Sequence, residues 1–369
     1  MNNLFNKDNT EWIDGHNELI LGQYPALFDS INVPHPELHN LYKLQKSIDW
    51  SEDELTLEQS RIDMLTCPPK IKELMLLNIS YQWETDSIAA RSVAPLFAPF
   101  ITNSQFWSAI LKNSEMEVTH SLTYSEIIRQ CIPNPKDVFE LVMKNTFIEQ
   151  RLSPALYYLN ELSNAGAKYK LGIIKNDQEL FNIVFLSMVV MLCLEGIQFG
   201  SSFATTFGIV ESGLFLAIGQ LVQKIMIDEL ACHAQTWKAA FVILLKTQRG
   251  KIAMDMLSDK IKFIIDTFVG AEFAWNKYQF SDGRSIVGLN ESLCNNWSEH
   301  NAAPIYNLFG FHKNIYDSPL PYMTKWLDMN SFQHAQQESS SSNYALSSVV
   351  YDIADGEILD FLIPSNIKI

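Results

Sequence analysis

A bundle of α-helices is the fold class this sequence predicts, and three observations predict it. Apolar residues recur at helical steps over long stretches, as at Met75, Ile79 and Trp83, which places them on one face of a helix. No stretch of the body shows the apolar–polar alternation of a half-buried strand. The breaks between apolar stretches are short and fall at Pro95, Pro99, Pro133 and Pro135 or at polar turns, the punctuation that separates helices.

Taken in order, residues 1–50 read as an irregular arm, because Pro25, Pro34 and Pro36 interrupt any long helix. Ser51 to Glu58 reads as a helix entry, with Ser51 as cap and Glu54 three residues on. Pro68 and Pro69 open the next helix, which runs from Lys70 to about Ala94 and carries Asp86 on its apolar face. A helix from about Gln105 to Gln130 follows, ended by Pro133 and Pro135. Shorter helical pieces fill residues 136–164, with Ala165–Gly166 as a turn. Two long apolar helices come next, about Asp177 to Thr206 and about Glu211 to Leu245; the first is apolar nearly all round, the mark of a central helix. Helices over about Lys251 to Asn276 and Asn290 to His300 flank a turn at Ser281–Asp282–Gly283. Beyond Pro321, QQESSSSN at Gln336 to Asn343 has linker composition. The expected division is a helical domain over 1–335 and a flexible tail over 336–369.

Composition bounds the function. Hydrophobic residues make up 47% of the chain, including 22 Phe and 8 Trp, enough for a sizeable core. A formal net charge of −15 with no Lys/Arg run excludes a nucleic-acid surface. The five cysteines are scattered and form no CxxC pair, which suits buried thiols in a reducing compartment. MNNLFNKDNTEW lacks the layout of a secretory signal. The apolar run from Ile183 to Leu194 is about half the roughly 20 residues of a membrane span. A buried helix and a cytoplasmic protein without a membrane partner are expected.

The chemistry-bearing residues lie on the apolar faces. Glu117, His120 and Tyr124, at steps of three and four, share one stripe with Ile110, Ile127 and Cys131. Asp86, Glu195, and Glu229 with His233 occupy apolar faces of three other helices. A lone buried carboxylate is too costly to leave unpaired. Together, four carboxylates and two imidazoles form the ligand set of a dinuclear metal site held between helices, as in ferritin-like bundles. Oxygen and nitrogen donors suit iron or manganese, and four carboxylates balance two divalent cations.

With these motifs in place, the chain resembles the radical-generating small (beta) subunit of class I ribonucleotide reductase over nearly its whole length. The resemblance rests on SYQWETDSI around Asp86, EVTHSLTY from Glu117 to Tyr124, LEGIQFGSSF around Glu195 and IMIDE around Glu229. FSDGRSIVGLN, SPLPYMTKWL and QQESSSSNY reinforce it in the same order. It implies that Asp86, Glu117 and His120 bind one metal and Glu195, Glu229 and His233 the other. It makes Tyr124 the tyrosine oxidised to a stable radical, with Phe199, Phe203 and Ile225 as its apolar shield. Trp50 and Asp228 would form a radical route hydrogen-bonded in series with His120. Tyr344, or less well Tyr351, would pass the radical on to a large catalytic subunit in which the tail docks. A homodimer, two iron ions and a cytoplasmic location, the host cytoplasm for a viral chain, are also implied; a manganese–iron or dimanganese pair stays open.

One spacing departs from the family. Glu229 and His233 are four residues apart rather than three, with Leu230 where a register fixed by His233 would place the acid. A regular helix keeps them on one face about 6 Å apart along its axis, and a π-bulge would bring them closer. A stand-alone di-metal oxidase or oxygenase would share the ligands but has no use for Trp50, Tyr344 and a docking tail. A non-catalytic ferritin-like iron-binding protein does not account for Tyr124.

Overall fold

Prolines and short polar caps set where the helices begin. The computed structural model describes residues 6–328; Tyr344, Tyr351 and the expected tail over 336–369 lie outside the described residues. After a single 3₁₀ turn at Glu11–Asp14 come α1 (Pro36–Ser47), α2 (Glu58–Thr66), α3 (Pro69–Phe97), α4 (Ser104–Cys131), α5 (Pro135–Lys144) and α6 (Thr146–Lys170). The chain continues through α7 (Gln178–Cys193), a π turn at Leu194–Gln198, α8 (Gly200–Val210), α9 (Leu216–Ile227) and a second π turn at Asp228–His233. It closes with α10 (Ala234–Leu244), α11 (Gln248–Gln279), α12 (Glu291–Leu308) and α13 (Pro321–Leu327). Among the described residues the only β-type pairings are two isolated bridges, Ile20–Ile101 and Ile286–Leu289. The fold is all-α.

Side-chain caps start several of these helices. Asn103 Oδ1 accepts from Phe106 N at 2.8 Å, Asp177 Oδ1 from Leu180 N at 3.0 Å and Asn290 Oδ1 from Leu293 N at 3.0 Å, each cap contributing about 1 kcal/mol. Pro36, Pro69 and Pro135 occupy first-turn positions, where a missing N–H costs nothing. α3 and α4 pack as an antiparallel hairpin. Met75, Ile79, Gln82, Asp86, Ala89 and Val93 on α3 are all buried, as are Phe106, Ile110, Asn113, Glu117, His120 and Tyr124 on α4. Alternating steps of three and four build a continuous seam, and it is this seam that carries carboxylates into the core.

Several boundaries differ from the sequence expectations. The arm is not wholly irregular, since Pro36 opens a three-turn helix. Glu54 accepts from the Ser51 N–H at 3.2 Å, yet this closes a turn and the helix starts only at Glu58. α3 runs through Pro95, α6 through Pro154 and α12 through Pro304, because packing on both sides outweighs the roughly 3 kcal/mol a proline costs. Ala165–Gly166 is no turn but a buried part of α6; a Cβ on Gly166 would stand 3.2 Å from the Pro99 ring. The helix expected from Glu211 starts at Leu216, since Gly213 and Phe215 adopt left-handed backbone (φ 89° and 59°).

The apolar run proves longer than the sequence reading allowed. Gln178–Val210 is continuous enough to cross a membrane by length and composition, but 89% of its most apolar window is buried inside the protein. It is the core helix, not a membrane span. All five cysteines are free, and burial pushes the Cys131 thiol up to about 11 and that of Cys294 up to about 12, so both stay protonated.

Candidate dinuclear metal centre

Four helical segments deliver the polar cluster. α3 supplies Asp86, α4 supplies Glu117 and His120, the first π turn supplies Glu195, and the second supplies Glu229 and His233. All six side chains are at most 1% exposed. The four-residue spacing of Glu229 and His233 is met by the π turn, in which the Ala234 N–H reaches back five residues to Glu229 O. His233 Nδ1 then lies 3.1 Å from Glu229 Oε2. Leu230, at the position a three-residue spacing would favour, packs at the edge of the hydrophobic core. The π turn at Glu195 had no forewarning in spacing; its trace in the sequence is the pair Gly196 and Gly200. A Cβ on Gly196 would come within 2.9 Å of Ile305, and one on Gly200 within 2.5 Å of the Asn301 amide, so α12 presses directly on this turn.

Ligand-type atoms gather into two overlapping groups, each within a 4.8 Å span. Asp86, Glu117, His120 and Glu229 form one, and Glu117, Glu195, Glu229 and His233 the other. Glu117 and Glu229 stand in both groups, whereas the resemblance divides the six side chains into two separate threes. These groups could hold two metal ions.

The donor set fits cations. Both carboxylate oxygens of Asp86, Glu117 and Glu195 are buried without a hydrogen-bond partner. Burial, reinforced by Glu117 and Glu229, raises the Asp86 carboxyl well above its usual range. Burial and then Glu229 do the same for Glu195. His120 and His233 are held protonated although burial opposes it, because carboxylates surround them; Glu229 and Glu117 push His233 up to about 9. Left without metal, the cluster must neutralise itself with protons, which is the behaviour of a site built for positive charge. His120 Nδ1 stands 2.9 Å from Glu229 Oε1, a separation that needs a proton or a cation to offset repulsion between lone pairs.

Behind His120 the polar chain continues outward. His120 Nε2 lies 3.0 Å from Asp228 Oδ2, and Trp50 Nε1 donates to the same oxygen at 2.8 Å. An ionised carboxylate only accepts, so His120 keeps a proton on Nε2 and turns Nδ1 toward the carboxylates. The Trp50 and His120 rings lie nearly parallel with centroids 6.0 Å apart. Trp50 is 9% exposed, with Lys224 Nζ 5.4 Å from its ring centre and the Glu54 carboxylate paired to that lysine.

The family model described as ribonucleotide reductase, small chain, matches residues 27–320. This chain belongs to that family. Among curated relatives, the ribonucleoside-diphosphate reductase subunit beta of Buchnera aphidicola subsp. Acyrthosiphon pisum is 28% identical over 337 residues, covering 87% of this chain and 89% of the relative. The ribonucleoside-diphosphate reductase 1 subunit beta of Escherichia coli O157:H7 is 26% identical over 338 residues, with the same coverage. Among solved structures, the ribonucleotide reductase R2 subunit of Clostridium botulinum superposes with a TM-score of 0.72 at 14% identity, covering 88% of this chain and 98% of that one. The dimanganese(II)-NrdF of Streptococcus sanguinis gives a TM-score of 0.60 at 12% identity, covering 82% and 100%.

Within this small-chain framework Tyr124 sits one turn along α4 from His120, fully buried, its hydroxyl without a hydrogen-bond partner. Burial, then Asp86, Glu229 and Glu117, holds its phenol well above the usual range. Phe199, Phe203 and Ile225 are fully buried in the same hydrophobic core as Tyr124, and the two phenylalanine rings stack at 5.4 Å. Tyr81, Arg151, Gln198 and Glu272 also form a buried polar cluster, against the first π turn. Sequence reasoning missed it; the available signal was an arginine on the buried face of α6, between Ile148, Leu152 and Ala155.

Proposed function

We propose that this chain is the radical-generating small (beta) subunit of a class I ribonucleoside-diphosphate reductase, active only with a large subunit that reduces ribonucleotides to deoxyribonucleotides. The observation that carries the reading is the junction of two features: a metal-type cluster and a hydrogen-bonded exit through Asp228 to Trp50. A stand-alone oxidase or an iron-storage protein needs the first and has no use for the second.

Asp86, Glu117, His120, Glu195, Glu229 and His233 would hold two metal ions, with Glu117 and Glu229 shared. When bound, two iron ions supply dioxygen reduction and a one-electron oxidant; Tyr124 favours iron over a manganese–iron or dimanganese pair. Tyr124 would give up one electron to that oxidant and its phenolic proton to a base of the cluster, Asp86 being the carboxylate whose charge acts on the phenol most strongly. Phe199, Phe203 and Ile225 exclude water, and the lack of a hydrogen-bond partner leaves no nearby donor to quench the oxidised ring. Asp228 holds His120 and Trp50 in register, so that an electron can enter through Trp50 and the radical can leave. Tyr344, in a tail over 336–369 that docks in the large subunit, completes the route. A homodimer and a cytoplasmic location complete the reading. The exposed stripe of Leu111, Val118 and Leu122 on α4, each 45–47% exposed, supports contact with a second copy.

The test is to add ferrous iron and air to the apoprotein and record metal content and an electron paramagnetic resonance spectrum. Two irons per chain and a tyrosyl signal absent from Tyr124→Phe are expected; an unchanged signal in that variant places the radical elsewhere. Truncation after Gln337 should retain the signal and lose all reductase activity with the large subunit. Retained activity would refute the relay through the tail.

A further inference from the structure

The π turn that presents Glu195 is contacted at its C-terminal end by a buried ion pair with no place among the metal-type side chains. Arg151, on α6, is 2% exposed and Glu272, on α11, is fully buried. Arg151 Nε donates to Glu272 Oε1 at 2.6 Å, and the guanidinium lies 3.5 Å from the centre of the Tyr81 ring and 4.7 Å from that of Trp275. Such a pair is a poor source of stability, since apolar residues of similar volume usually serve as well or better. Its remaining hydrogen bonds show what it is for.

Each partner reaches the backbone where the helix goes out of register. Arg151 Nη2 donates to Gln198 O at 2.5 Å, and the Tyr81 hydroxyl donates to the same carbonyl at 3.2 Å. The Gln198 side-chain amide donates back to Arg151 O. Glu272 Oε2 accepts from the Ser201 N–H at 3.4 Å, and Trp297 Nε1 donates to Gly200 O at 3.1 Å. A π turn displaces the regular i→i+4 pairing, and buried backbone groups must be satisfied. Here side chains from α3, α6, α11 and α12 converge on the last residue of the bulge and the two that open the next helix. A planar guanidinium can serve a carboxylate and a carbonyl at once, which an ammonium does poorly.

We propose that Arg151 and Glu272 are positioning residues for the metal centre: they lock the Leu194–Gln198 π turn in the register that aims Glu195 at Glu117, Glu229 and His233. The inference rests on reading that cluster as a dinuclear site. Glu195 belongs to only one of the two ligand groups, so loosening its turn should weaken one metal ion and spare the other.

The experiment is a titration of the full-length apoprotein with Mn²⁺ alone, following the free aquo ion by electron paramagnetic resonance. Wild type is compared with Arg151→Lys and with the neutral double variant Arg151→Met/Glu272→Leu, which strands no buried charge and so keeps the fold. Wild type should take up two Mn²⁺ per chain. Both variants should bind one ion with unchanged affinity and the second at least tenfold more weakly, with an unaltered helical circular dichroism spectrum. Two ions bound by the double variant at wild-type affinity would overturn the positioning role while leaving the metal centre standing. Equal weakening of both ions, the signature of a generally loosened bundle, would overturn it as well. Failure of wild type to bind two ions would overturn the metal-centre reading and this inference together.

Discussion

Asp228 is where the proposed relay, the orientation of a candidate metal ligand and the fold meet, and its removal has a calculable cost. Its Oδ2 takes hydrogen bonds from Trp50 Nε1 at 2.8 Å and His120 Nε2 at 3.0 Å, and the residue is 1% exposed. Asp228→Ala strands two buried N–H donors, and at about 1–3 kcal/mol for each the loss is about 2–6 kcal/mol. An unfolding entropy of about 2.1 cal/mol/K per residue makes this worth a fall in apoprotein Tm of about 3–9 °C. Asp228→Asn keeps an oxygen acceptor but loses the charge that roughly doubles the strength of both bonds, so its Tm should fall by about half as much. With His120 less firmly oriented, its metal affinity should drop by roughly 10–100-fold. Thermal melts of the three apoproteins check the first magnitudes and metal titration the second. Reductase activity with the large subunit, measured on Asp228→Asn at saturating iron, should be lost even where the tyrosyl signal persists. If Asp228→Ala melts at the parent's temperature, the chain of bonds does not tie Trp50 to His120. If Asp228→Asn keeps full activity, the route does not pass through this carboxylate.

Glu229→Ala removes a carboxylate common to both ligand groups and should weaken both ions; full occupancy of two sites in metal analysis would exclude Glu229 as a ligand. Tyr124→Phe deletes a hydroxyl that makes no hydrogen bond, so its Tm should equal or exceed that of the parent, and a marked fall would show that the hydroxyl has a partner after all. Apoprotein stability should depend on pH with a definite sign. Asp86, Glu195, His120 and His233 all bind protons more tightly in the folded state, so their contribution is full below the unfolded values and is lost as pH rises, for His233 through about 9. Glu229, held low by the histidines although burial opposes it, acts in the opposite sense: its contribution is full above the ordinary carboxylate range and is lost as pH falls below it. Melting temperatures of apoprotein should therefore decline from about pH 5 to pH 9, metal loading should release protons, and a flat profile with no proton release would refute the picture of a proton-neutralised cluster.

The helical seam was legible because periodicity is a local property. Asp86 and Glu117 announced themselves as charges on apolar faces, and the odd spacing of Glu229 and His233 left a regular helix and a π-bulge both open, of which the backbone forms the bulge. Pro95 and Gly166 misled for the complementary reason: their local cost is read from the chain, whereas the packing that outweighs it comes from residues far away in sequence. Arg151 and Glu272 stand 121 positions apart, and neither has meaning without the other.

What the sequence by itself determined is the all-α class, the four helices that bring acids to their apolar faces and the identity of the side chains available for chemistry. Only the tertiary structure decided that Glu117 and Glu229 stand in both groups of metal-type side chains, and that a second bulge forms at Glu195 beside a buried ion pair. Periodicity specifies which face of a helix turns inward. Which atoms then meet depends on how distant helices cross and where their backbones slip register, and that is settled by packing.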